Sequence, residues 1–164
     1  MHVDPLEKTW VWLASAIAVT FVGVLLWAAI AHSIHPPSNV ETIDSASLHL
    51  SEEFAEDNLG VHKQPDGSLK IVMVATRYGF YPQHIEVPAK TPINFRIATT
   101  DVLHGFHVEG TNLATMVIPG FISEVNLPEG LNAGLGTRPM LCNEYCGLGH
   151  HYMWSRVTVT DKAS

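Results

Sequence analysis

From Trp10 to Ile30 the chain reads WVWLASAIAVTFVGVLLWAAI, a run without a single charged side chain. As a helix rising 1.5 Å per residue it would be roughly 31 Å long, enough to cross a bilayer. Trp10 and Trp12 at one end and Trp27 near the other suit interfacial anchors, because indole joins an apolar ring to one N–H that seeks a polar neighbour. A cleaved signal peptide is the competing reading, with Ala29-Ile30-Ala31 as a small-residue cleavage site. Against it, the run is long for a signal, and the stretch before it sets only Lys8 against Asp4 and Glu7. The expectation is therefore a cytoplasmic N-terminus over 1–9 and a transmembrane helix over 10–31. Lys8 is the only Lys or Arg close to the run and none follows until Lys63, which places the larger C-terminal part on the extracytoplasmic side of the plasma membrane. The span holds no carboxylate and no histidine, so it reads as an anchor in lipid rather than a proton path.

The whole chain has 164 residues, enough for one compact domain and one appended element, and too few for a self-contained multi-step enzyme. Its net charge of −7 disfavours nucleic acid, whose phosphates call for clustered Lys and Arg, and suits a basic protein partner.

Residues 32–68, beginning around His35-Pro36-Pro37, read as a linker. The stretch SASLHLSEEFAEDNLG within it predicts a short surface helix whose acids, Glu52, Glu53, Glu56 and Asp57, form a solvated face. From Leu69 the pattern changes to short runs rich in Val, Ile and Phe between Pro and Gly punctuation: LKIVMVA, YGFYP, HIEV, INFRIAT, GFHVEG, TMVIPG, FISEVNLPEG, RPMLC and SRVTVT. Many short strands at this spacing predict a mainly β domain over 69–164, a sandwich or Greek-key barrel.

The chemistry concentrates in Cys142-Asn-Glu-Tyr-Cys146-Gly-Leu-Gly-His150-His-Tyr-Met153, between two predicted strands. Two thiols, an imidazole and a thioether form a soft donor set of the kind that selects copper. Gly147 and Gly149 let the backbone fold closely around a small centre. Upstream, DVLHGFHVEG offers His104 or His107. Residues three apart on a strand point to opposite faces, so only one of them can face the site. A disulfide and a structural zinc site are the competing readings of the cysteines. A mononuclear blue-copper site uses a single cysteine and fits less well.

Cys142-x3-Cys146-x3-His150-x2-Met153, preceded by Asp101-Val-Leu-His104, resembles the binuclear CuA centre of heme–copper oxidase subunit II. The similarity runs from about Ile71 to Val159, and is greatest to the single-span B-type oxidases in DVLHGFHVEGTN and CNEYCGLGH. It implies a cupredoxin fold holding two copper ions, both bridged by Cys142 and Cys146. His104 and Met153 would complete one copper; His150 and the backbone carbonyl of Glu144 would complete the other. His107 and His151 match no ligand of the family. The Glu144 carboxylate corresponds to one that, in larger relatives, binds magnesium or manganese at the junction with subunit I.

The resemblance also implies partners. Electrons would arrive from a soluble donor such as cytochrome c and pass to heme in subunit I, which reduces dioxygen. No heme-attachment motif is present, so no heme is expected on this chain, and alone it should be catalytically silent. Tyr78, Phe80 and Tyr81 of YGFYP form a candidate donor-docking patch, with Asp101 adding attraction for a basic donor; the competing reading puts Phe80 and Tyr81 in the core. Two other functions fit the same motif. One is the copper subunit of a nitric oxide reductase, and the other is a membrane-anchored copper carrier, which should release its metal readily.

Overall fold

The apolar run forms α1, Pro5–Ala31. Asp4 starts it by accepting the Leu6 N–H at 2.8 Å, and Pro5, which has no N–H to satisfy, takes the first helical position. None of its residues is buried. A helix apolar on every side needs an apolar surrounding, and among the described residues this is the one helix long and apolar enough to cross a membrane. The computed structural model describes residues 4–31, 41–111 and 113–161. His35-Pro36-Pro37, where the linker was expected to begin, lies outside them.

The chain divides into two units, 1–39 and 40–164. The second is built from β1 (Glu41–Thr42), β2 (Gly60–Lys63), β3 (Leu69–Thr76), β4 (Gly79–Tyr81), β5 (His84–Pro88), β6 (Ile93–Thr99), β7 (His104–Val108), β8 (Ala114–Val117), β9 (Phe121–Leu127), β10 (Gly136–Leu141) and β11 (Trp154–Thr160). One sheet has the order β1-β9-β6-β3-β2, with β4 also paired to β3; the other has the order β5-β11-β10-β7-β8. Parallel pairs, β3 with β6 and β5 with β11, sit among antiparallel ones. Ile71, Met73 and Ala75 of β3 and Phe95 and Ile97 of β6 meet Phe106, Val108, Met140, Val157 and Val159 of the opposite sheet. Phe106 sits at the centre, its ring 5.3 Å from that of Phe80 and 5.7 Å from that of Phe95. The expected β-sandwich is present. The glycine-rich approach LNAGLGTRPM pairs regularly from Gly136 opposite Val159 to Leu141 opposite Trp154.

Residues 41–63, expected as part of a linker, belong instead to the sandwich. β1 pairs with β9 and β2 with β3. Between them the chain makes two short 3-10 turns, Ser45–Leu50 and Glu56–Asn58, and no α-helix. Leu48 and Phe54 pack on the outer side of the first sheet against Val72, Val74 and Ala98. β3 is thus covered on both faces, which is why LKIVMVA shows no alternation. Glu53 does not lie on a solvated face: it meets Arg96 at 2.6 Å and Lys70 at 2.6 Å, and Glu41 adds a second carboxylate to Arg96 at 2.8 Å. Two cations on this side of the sheet require counter-charges, and the 41–63 segment supplies them.

Candidate metal centre

Three strand ends meet at one end of the sandwich. β7 begins at His104, β10 ends just before Cys142, and β11 begins just after Met153. Leu141 pairs with Trp154 on one side and His107 on the other, and the Cys142 N–H donates to the Met153 carbonyl at 3.2 Å, closing the neck of loop 142–153. The loop therefore starts and finishes on paired backbone, and its side chains are held relative to β7.

The donors converge. Cys142 Sγ lies 3.9 Å from Cys146 Sγ, 4.0 Å from His104 Nδ1 and 3.1 Å from the Glu144 carbonyl oxygen. Cys146 Sγ lies 3.6 Å from His150 Nδ1 and 3.6 Å from Met153 Sδ. The ligand atoms of His104, Cys142 and Cys146 all fall within 4.8 Å of one another. His104, Cys142, Cys146 and Met153 are buried, and His150 is half-buried. Both cysteines are free. Their separation far exceeds the bonded S–S length of about 2.05 Å. It is close to the spacing of two ligands held at about 2.3 Å from one ion near a tetrahedral angle.

Of the two upstream histidines, β7 turns His104 inward and His107 to the other face, where its Nδ1 lies 3.1 Å from the Leu113 carbonyl. His151 is exposed and packs on Tyr152, ring centroids 3.9 Å apart. Neither joins the donor cluster.

His104 Nε2 is 2.8 Å from Asp101 Oδ1. A carboxylate only accepts, so this nitrogen carries the proton and Nδ1 is left with its lone pair on the side of the sulfurs. Asp101 also accepts the Arg77 N–H at 2.8 Å and the Val102 N–H at 2.7 Å. Burial alone would raise its carboxyl, but the hydrogen bonds from His104, Val102 and Arg77 outweigh this and hold it below the usual range. At the sulfurs the balance is reversed. Burial, with the neighbouring Cys142 adding to it, pushes the Cys146 thiol up to about 11. A cation bound between the sulfurs would take the place of the thiol protons. Thiolate, thioether and imidazole donors around such a space suit copper.

The profile of the family described as "Cytochrome C oxidase subunit II, periplasmic domain" matches residues 59–160. The chain belongs to the cytochrome c oxidase subunit II family. A cytochrome c oxidase subunit 2 of Thermus thermophilus is 31% identical over 157 residues, which cover 94% of this chain and 92% of that one. A heme-copper oxidase subunit 2 of Aeropyrum pernix is 25% identical over 121 residues, which cover 65% of this chain and 51% of that one. Among solved structures, a chain of a heme-copper terminal oxidase dimer aligns with TM-score 0.68 and 25% identity, covering 94% of this chain and 99% of that chain. The family's cupredoxin-like fold is the one observed.

Within this family setting, the expected docking residues separate. Phe80 is fully buried and meets Phe106 edge-on, so it is a core residue and not a docking one. A β-strand sends alternate side chains to opposite faces, and in β4 Phe80 turns inward while its neighbour Tyr81 turns outward. Tyr81 borders a separate apolar groove with Leu48, Phe54, Leu59 and Val74. Tyr78 is half-exposed and lies against the donor loop. Asp101 is engaged with His104 and two backbone N–H groups. Sequence reasoning missed Tyr145, Leu148 and Tyr152, which are 71%, 89% and 70% exposed on the loop itself. The signal was available: they are large apolar residues interleaved with ligands on a loop whose inward positions the ligands already occupy.

Proposed function

We propose that this chain is the electron-entry subunit of a terminal heme–copper oxidase, single-pass in the plasma membrane with its copper domain outside. Electrons would come from a soluble donor such as cytochrome c and leave to heme in subunit I, where dioxygen is reduced to water. One observation carries this reading: the donors divide across the two sulfurs in a way that suits two ions. His104 approaches Cys142 while Met153 approaches Cys146; the Glu144 carbonyl approaches Cys142 while His150 approaches Cys146. Paired as the family resemblance implies, each couple spans both sulfurs, which fits two coppers that each touch both thiolates.

In this reading Cys142 and Cys146 would hold both coppers, His104 and Met153 would complete one, and His150 and the Glu144 carbonyl would complete the other. Two coppers held by these residues would supply a one-electron centre whose bonds change little on gain or loss of an electron. The protein's contribution is rigidity: the closed neck, paired strands and buried thioether hold the donors in one arrangement. Exposed Tyr145, Leu148 and Tyr152 give a donor protein an apolar landing surface over the buried site. The Glu144 carboxylate is proposed to take magnesium or manganese, with the remaining ligands from subunit I.

The test is the full-length chain in detergent, loaded with copper. Two ions per chain and an electron-spin spectrum split by two nearly equivalent copper nuclei are expected, and a single-copper pattern would refute the assignment. Purification from native membranes, with identification of co-purifying chains and hemes and turnover on dioxygen against nitric oxide, tests the assembly and its reaction.

A further inference from the structure

Every donor comes from the second sheet or its loop, yet one turn of the first sheet reaches both halves of the set. In the turn between β3 and β4, the Arg77 N–H donates to Asp101 Oδ2 at 2.8 Å, while the other oxygen of that carboxylate accepts His104 Nε2–H at 2.8 Å. The next residue, Tyr78, lays its ring on the loop between Cys146 and His150. A Cβ added to Gly147 would stand 2.6 Å from the Tyr78 hydroxyl, and one added to Gly149 would collide with the ring carbons. Gly147 also adopts φ +130°, a backbone conformation open chiefly to glycine. These two glycines therefore serve Tyr78 as well as the tightness of the loop.

We propose that this turn is a brace that presets the donor geometry, with Asp101 and Tyr78 as positioning residues for His104 and His150 respectively. The proposal rests on the two-copper reading above and reassigns both residues from donor attraction to site construction. Asp101 fixes the tautomer and ring angle of His104. Tyr78 removes freedom from a glycine-rich stretch that would otherwise sample many conformations before metal binds. Partners of this kind commonly change metal affinity by about 10–100-fold when removed.

The full-length chain in detergent, loaded with two equivalents of copper, tests the brace through Asp101→Asn, Tyr78→Ala and Tyr78→Phe. In the first two, copper passes to a competing chelator with affinity weakened about tenfold or more. The splittings from the two copper nuclei become unequal, and the melting midpoint of the metal-free chain stays at the wild-type value. Tyr78→Phe restores wild-type retention, because the ring supplies the contact. Wild-type retention and spectra in both Asp101→Asn and Tyr78→Ala would overturn the brace alone, as would a pure loss of donor oxidation rate. So would copper loss that merely follows unfolding of the metal-free chain and is not restored by Tyr78→Phe. A wild-type chain that fails to hold two coppers takes down the reading and the brace together.

Discussion

Cys142 Sγ and Cys146 Sγ lie 3.9 Å apart and have different neighbours. Cys142 meets His104 and the Glu144 carbonyl, whereas Cys146 meets His150 and Met153. Were each cysteine confined to its own ion, these would be two separate sites with weak ligand sets. On the proposed two-copper reading both sulfurs would be shared, and four terminal donors with two bridges would make one unit.

Such sharing would make the two cysteines interdependent. Cys142→Ser or Cys146→Ser should each abolish the two-nucleus electron-spin pattern, not reduce it to half intensity. Metal analysis of each variant beside its spectrum checks this, and retention of the shared pattern in either would contradict bridging.

The two histidines of β7 should behave differently. His104→Ala removes a donor aimed at the sulfurs, so the spectrum should be lost or strongly altered. His107→Ala removes a contact to the Leu113 carbonyl on the opposite face and should preserve it. The reverse outcome would show that the wrong face of β7 had been assigned.

Phe80→Ala should destabilise the metal-free chain by about 3–5 kcal/mol, the usual cost of truncating a buried aromatic side chain. Denaturant unfolding measures this. Donor docking is not expected to change, since the ring does not reach the surface.

The strands after Leu69 were legible because they are short, rich in Val, Ile and Phe, and mostly punctuated by Pro or Gly, and INFRIAT coincides with β6. The donor loop was legible because its soft ligands are crowded into one stretch. Which of His104 and His107 faces the site followed from strand alternation only once the resemblance or the structure supplied the facing direction. The 41–63 segment was not legible: its two strands are short, its apolar anchors Leu48 and Phe54 are isolated among acids, and Glu53 is drawn in by Arg96 and Lys70 from distant strands. Long-range ion pairing leaves no local pattern.

A fragment beginning at Val40 should therefore fold, and one beginning at Leu69 should not match it. The shorter fragment loses β1, β2 and the burial of Leu48 and Phe54, a deficit of about 5 kcal/mol or more when two large side chains are removed from a core. Denaturant melts of the two fragments decide it, and equal midpoints would return residues 41–63 to the role of a linker.

The same segment should confer acid sensitivity. Burial works to raise the Glu53 carboxyl, but hydrogen bonds and charge from Arg96 and Lys70 prevail and hold it below its ordinary 4.5. A carboxyl whose folded-state value is depressed stabilises the fold when ionised. Its contribution is complete above the unfolded-state value and is lost as pH falls through the lowered folded-state value. Glu41 and Glu124 also face Arg96, at 2.8 and 3.6 Å, so part of the network survives loss of Glu53. Glu53→Gln should accordingly cost on the order of 1 kcal/mol near neutral pH. Wild type should then lose stability faster than the variant as the solution is acidified below 4.5, so that the two melting curves converge in acid. Curves that stay parallel across that range would mean that the Glu53 charge does not hold the 41–63 segment to the sheet.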